Sequence, residues 1–157
     1  LDSRYKGLDI ANAGSSPDYN SELTSWLHSF TPAINYYMTQ ELNFKTDLTY
    51  DMFGDVRPWD RTNNNSGADL REAMAMNSNL HLLVQSGYYD GACTYFNAKY
   101  IMNQININGK FTNRMDFKGY RSGHMMYLRN EDLKNANEDL RVFIEKASKN
   151  IAQGAKY

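Results

Sequence analysis

Two side chains in this sequence are placed to do chemistry together. Asp90 closes the stretch Leu80 to Asp90, Leu-His-Leu-Leu-Val-Gln-Ser-Gly-Tyr-Tyr-Asp, and His124 lies in Arg121-Ser122-Gly123-His124-Met125-Met126-Tyr127. A carboxylate and an imidazole are the acid and base partners of nucleophilic catalysis. A serine hydroxyl is a poor nucleophile at its free pKa, so an imidazole must take its proton during attack and return one to the leaving group. A buried carboxylate holds that imidazole in the working tautomer and stabilises the cation. Gly123 lets the backbone turn sharply just before His124, a position where a packed structural histidine has little reason to be. His81 lies inside an apolar run and His28 inside a helical pattern, and both read as packed or surface side chains. Cys93 follows Asp90 by three residues. It reads as a bystander, because nothing in the types of its neighbours argues for an activated thiolate.

The elements that must position the pair follow from periodicity. Leu82, Leu83 and Val84 are consecutive and stop at Gly87, which suits a strand covered on both faces, as in a parallel sheet flanked by helices. Arg114 to Tyr120 alternates well enough for a second strand. In open parallel sheets chemistry sits just beyond the carboxyl ends of the strands, and both candidates lie there. Between the two strands, Ala98, Met102 and Ile105 give Tyr95 to Ile105 a helical period that Asn106 to Gly109 breaks. A last helix is expected from Asn130, with Glu131 and Asp132 complementing its dipole. Leu133, Leu140, Phe143, Ile144, Ala147 and Ile151 mark its expected buried face.

Asp and then His at successive strand ends, with one more helix, is the closing half of the order Ser, Asp, His in which α/β-hydrolases carry their triad. Gly87-Tyr88-Tyr89-Asp90 and Gly123-His124-Met125-Met126-Tyr127, with Val56-Arg57-Pro58-Trp59-Asp60, resemble the C-terminal part of the serine carboxypeptidase family, and its bacterial branch most closely. Tyr88 departs from the aspartate often found there, which is not the catalytic position. The resemblance implies that Asp90 orients, that His124 is the general acid and base, and that Met125 helps wall the pocket for the departing C-terminal residue. It also implies chemistry without metal or cofactor, a peptide substrate, and a periplasmic or secreted location. No Gly-x-Ser-x-Gly pentapeptide occurs in the sequence. The expectation is therefore the C-terminal portion of a larger α/β-hydrolase sheet with flanking helices and part of a helical cap, inactive on its own. An esterase or acyltransferase on the same scaffold, and a binding module that has lost its nucleophile, are the competing readings.

Length and charge set outer bounds. At 157 residues the chain is long enough for a domain-sized core, but a complete doubly wound hydrolase usually needs roughly 200 to 250 residues or more. The 17 basic and 18 acidic residues leave a formal charge of -1, which offers no field for nucleic acid or anionic lipid. No apolar run approaches the ~20 residues of a transmembrane helix. With Cys93 alone no intrachain disulfide forms, so cysteine usage does not separate cytoplasm from periplasm. The expected partners are a peptide substrate and the missing N-terminal part of the same protein. Self-association through exposed apolar surface is the alternative fate of such a fragment.

Along the chain, residues 1–60 read as a cap-derived segment and connection, and 61–157 as the core portion that carries Asp90 and His124. Leu1 to Ser16 is polar and glycine-punctuated, and resembles the Leu-Asp-x-Arg-Tyr passage that leads from the family's core into its cap. Leu23, Trp26, Leu27 and Phe30 predict one helix. Ile34, Tyr37, Met38 and Leu42 predict a second, with Thr31-Pro32 as its N-cap and first residue. Asp47, Asp51, Asp55 and Asp60 lack the glycine-centred spacing of a calcium loop and read as solvated or capping groups. Asn63 to Gly67 reads as a loop, and Asn64-Asn65-Ser66 is formally a glycosylation sequon. Ala68 to Asn77 is rich in helix formers and predicts a short helix before the first strand.

Overall fold

The computed structural model describes residues 1–11, 14–51, 54–55, 57–62 and 64–149. Val56, Asn63 and Ile151, each part of a reading above, lie outside the described residues. The chain divides into two compact units, one of Leu1–Arg4 with Thr62–Tyr157 and one of Tyr5–Arg61. The first four residues thus pack with the sheet-bearing unit rather than with the rest of the expected cap-derived segment.

The sheet-bearing unit is of mixed α/β character. Its elements are α2 (Ser66–Met76), β1 (Leu82–Gly87), α3 (Tyr95–Ile105), β2 (Met115–Tyr120) and α4 (Asn130–Lys149), with short 3-10 turns between them. β1 and β2 pair in parallel, in a register running from Leu82 opposite Met115 to Gly87 opposite Tyr120. A parallel pair needs a crossover, and α3 supplies it. The core gathers Met74 of α2, Phe111 and Met115, with Leu70, Leu80, Leu82, Met102 and Phe117 packed around them. Arg114 fastens the start of β2 to the end of α2. Its guanidinium donates to the carbonyls of Met74 at 2.9 Å and Asn77 at 2.8 Å, groups that a helix end leaves without intrahelical partners.

Two expectations about this unit need correction. Apart from Gly87, the residues of β1 are half-buried rather than covered on both faces; the described sheet has two strands, so layers on both faces are incomplete. The inward face of α4 is also only partly the expected apolar one, keeping Phe143 and Ala147 but not the leucines or Ile144. Leu133, Leu140 and Ile144 are exposed, whereas Asp132 is buried and Ala136, Asp139, Phe143 and Ala147 are half-buried. Polar bonds set this orientation. Gln85 donates to the Ala136 carbonyl at 3.1 Å and to the Tyr120 hydroxyl at 2.9 Å, the Tyr120 hydroxyl donates to Asp139 at 2.9 Å, and Lys118 pairs with Asp139 at 2.7 Å. Buried donors and acceptors must be satisfied, so these partners outrank an apolar stripe that has no partner layer among the described residues.

In the other unit, α1 runs from Ser21 to Tyr36 and continues through a π-helical turn, Tyr37–Glu41. The expected break at Thr31-Pro32 does not occur, and Pro32 sits inside the helix. A mid-helix proline removes one backbone bond. The positions Leu23, Leu27, Phe30, Ile34 and Tyr37 nevertheless stay in one helical phase across it, which favours a single rod. Among the described residues of this unit Trp26 is the buried apolar one, donating its indole N–H to the Tyr5 hydroxyl at 3.0 Å with the rings edge to face. Leu27, Tyr36, Tyr37 and Leu42 are exposed, so the expected aromatic core is only partly assembled within these described residues.

Candidate active site

β1 and β2 end side by side, and the loops that follow them meet. Tyr88 donates its amide to the Tyr120 carbonyl at 2.8 Å and Tyr89 its amide to the Ser122 carbonyl at 3.0 Å, so pairing continues past the strands. The closeness requires glycine at Gly87, where a β-carbon would overlap the carbonyl oxygens of Gly123 and Ser122. Gly87 is thus more than a strand terminator: it is a point of backbone approach that brings the two loops together.

Asp90 lies in the turn after β1, 7% exposed. One carboxylate oxygen accepts the amides of Ala92 at 2.8 Å and Cys93 at 2.9 Å, and the other faces His124 Nδ1 at 2.8 Å. Burial opposes ionisation of this carboxyl. The Cys93 amide, the imidazole and the Ala92 amide together outweigh it and hold Asp90 below the usual carboxylate range. An ionised Asp90 can only accept, so Nδ1 carries the shared proton and the Nε2 of a neutral ring is left with the free lone pair. The His124 side chain is 41% exposed, against 6% for its partner. The geometry therefore provides a held carboxylate, an oriented imidazole and an accessible base.

The loop carrying His124 is held from outside itself. Its amide donates to the Leu1 carbonyl at 3.0 Å, and the Ser3 amide donates to the Tyr89 carbonyl at 2.9 Å. The buried Asp2 packs against Gly123, where a β-carbon would collide with its side chain. Arg4 binds Asp2, donates to the Arg121 carbonyl at 2.9 Å and stands 4.9 Å over the Tyr89 ring. Its guanidinium pulls the Asp2 carboxyl below the usual range against the opposing effect of burial. Below the loop, the Ser122 hydroxyl, 1% exposed, bridges the Asp132 carboxylate and the Met126 carbonyl, and Arg129 pairs with Asp132 at 2.9 Å.

Of the residues predicted from sequence, Asp90 and His124 are brought together, and Met125 follows His124, half-buried, before the 3-10 turn Met126–Leu128. His81 lies just ahead of β1, away from its Asp90 end, and the exposed His28 sits one turn above the Thr24 carbonyl in α1. Sequence reasoning misses three features. Asp2 and Arg4 read as a lead into the cap and are a brace for the loop. Asp132 reads as a dipole complement and is a buried anchor. Cys93 reads as a bystander, although Sγ, an Asp90 oxygen and a His124 nitrogen lie within 4.8 Å of one another. The spacing Asp2-x-Arg4 carries a signal for a local ion pair, but nothing local reveals its target. Searches of family models, curated proteins and solved structures return no match for the chain.

Proposed function

We propose that this chain is the C-terminal portion of a serine-type carboxypeptidase with an α/β-hydrolase core, in which Asp90 orients His124 and His124 moves the proton. The observation that supports this reading is the 2.8 Å contact between Asp90 and His124 Nδ1 at the ends of adjacent parallel strands. Nε2 then takes the proton of a serine hydroxyl as its oxygen bonds to the scissile carbonyl carbon, and passes it to the leaving amine as the acyl-enzyme forms. Water repeats the sequence to release the acid. In this proposal the nucleophile, the oxyanion hole and the groups that recognise the terminal carboxylate precede Leu1, Met125 walls the pocket for the leaving residue, and the location is periplasmic or extracellular. Ser122 is a poor alternative nucleophile, because it is buried and engaged by Asp132.

The test uses protein expressed with the sequence preceding Leu1. A serine-directed phosphonate should label a serine upstream of Leu1 and stop release of C-terminal residues from N-blocked peptides, while peptide amides resist cleavage. The 157-residue chain alone should stay unlabelled and inactive. Labelling of any serine between Leu1 and Tyr157 would overturn the proposal. Cleavage of esters with no peptide turnover would move it to the esterase reading.

A further inference from the structure

The turn that presents Asp90 also presents the chain's single cysteine, exposed and not in a disulfide. A sulfur, an imidazole nitrogen and a carboxylate oxygen therefore converge on one small region, with Asp90 buried and the other two open to solvent. We infer that Asp90, Cys93 and His124 bind a thiophilic divalent cation, zinc(II) foremost, and that its binding switches the dyad off.

The donor set argues for the class of ion. One thiolate, one imidazole and one carboxylate with a position open to water is a combination that suits zinc, whereas magnesium and calcium require shells built from oxygen. Bonds of about 2.0 to 2.3 Å to a tetrahedral ion hold their donors roughly 3.2 to 3.5 Å apart. Asp90 and His124, hydrogen-bonded at 2.8 Å, need part by only about half an ångström to reach that span, exchanging their shared proton for the ion. Cys93 must close the remainder, and rotation of an exposed side chain between rotamers supplies it. The Cys93 amide already binds the Asp90 carboxylate at 2.9 Å, which fixes the thiol-bearing residue beside it. That bond and the Ala92 amide at 2.8 Å also orient Asp90 as a ligand. Binding releases the thiol proton to solvent and leaves the ion on a thiolate.

Inhibition follows from counting lone pairs. A neutral imidazole has one nitrogen lone pair, and the cation takes it. Bound at Nε2, the ion blocks the base directly; bound at Nδ1, it leaves a proton on Nε2. Either way no base remains. This consequence rests on the hydrolase reading, whereas the binding rests on the three side chains alone.

Cobalt(II) is the probe, since its thiolate complexes absorb in the near ultraviolet. Titration of the 157-residue chain should give a sulfur-to-cobalt band that saturates at one ion per chain, is displaced by zinc(II) and is untouched by magnesium(II). Changes outside the ligand sphere typically cost ~10 to 100-fold in metal affinity, so His124→Gln and Asp90→Asn should each weaken cobalt binding at least about tenfold. Cys93→Ser should abolish the band, with circular dichroism confirming the fold of each variant. Absence of the band in the parent would overturn the site, as would a band of unchanged affinity in both His124→Gln and Asp90→Asn, which would mean the thiol binds alone. In protein carrying its upstream sequence, zinc(II) should inhibit peptide turnover. Cys93→Ser should raise the half-inhibitory concentration at least about tenfold, each variant being compared with its own metal-free rate. Cobalt binding in a protein without any hydrolase activity would support the site and remove the hydrolase reading. Cobalt binding with zinc-insensitive turnover would overturn the switch.

Discussion

The loops after β1 and β2 solve the same problem in opposite ways. Asp90 is held by its own neighbours, through the amides of residues two and three positions ahead, and it is buried. His124 is exposed, and its loop is held by partners distant in sequence or on another element: Leu1 and Arg4 on one side, and Asp132 of α4 on the other. The acid is locally encoded, while the base depends on long-range assembly. That division fits the proposed dyad, in which the carboxylate stays fixed and charged while the imidazole meets solvent.

The largest expected effect removes either member. On the proposed hydrolase reading, in protein carrying its upstream sequence, Asp90→Asn should lower kcat by about 10⁴-fold, the size of loss that follows when a serine protease's triad carboxylate is replaced by its amide, and His124→Ala by about 10⁶-fold, both with little change in KM. Steady-state kinetics on one blocked peptide checks both. The double variant should be scarcely worse than His124→Ala, since residues acting as one unit are not additive. Multiplying losses would mean that the two act separately.

Next in size are substitutions that distinguish the two modes of support. Asp132→Ala strips Ser122 and Arg129 of their buried partner, and Arg4→Ala removes the guanidinium bound to the buried Asp2. Each should destabilise the sheet-bearing unit by about 1 to 3 kcal/mol in urea unfolding. Hydrogen exchange should speed up at Ser122 to Met125 and stay slow at Ala92 and Cys93. Equal loosening of both loops would remove the distinction.

What is legible in the sequence follows the same division. β1, α3 and the dyad can be read because their signals are local: an apolar run ending at Gly87, a helical period ending at Ile105, a histidine after a glycine. The seat of α4 cannot, because its inward face carries Asp132 and Asp139, whose partners Ser122, Tyr120 and Lys118 are on β2 or just beyond it. Hydropathy alone points Leu133, Leu140 and Ile144 inward, and they are exposed. The brace from Asp2 and Arg4 is out of reach because it spans more than a hundred residues. Pro32 misleads for a different reason, since local helix-start chemistry is set against an apolar phase that continues through it.

Two pH effects should be comparable or smaller. Burial and the bond to Asp139 push the Tyr120 hydroxyl up to about 12 from 10.0. A raised folded value means its contribution is complete below pH 10 and is lost between about 10 and 12, a span worth roughly 2 to 3 kcal/mol. Thermal melts across that window should decline, and Tyr120→Phe should flatten the decline. Asp90 has the opposite sign. Its folded value is depressed, so its contribution is complete above the ordinary carboxylate pKa and disappears as pH falls through the lower folded value. Acid unfolding should therefore be shallower in Asp90→Asn, whereas an unchanged acid limb would mean that Asp90 is not held charged.

Everything proposed for the dyad turns on which nitrogen of His124 carries the proton, and nitrogen-15 NMR of the imidazole reads that directly without any assay of turnover. At pH values where the ring is neutral, His124 should be the Nδ1–H tautomer, with its proton shifted downfield by the bond to Asp90, and Asp90→Asn should remove the downfield signal and shift the ring toward Nε2–H. A ring already in the Nε2–H form, or a spectrum indifferent to Asp90→Asn, would contradict the dyad.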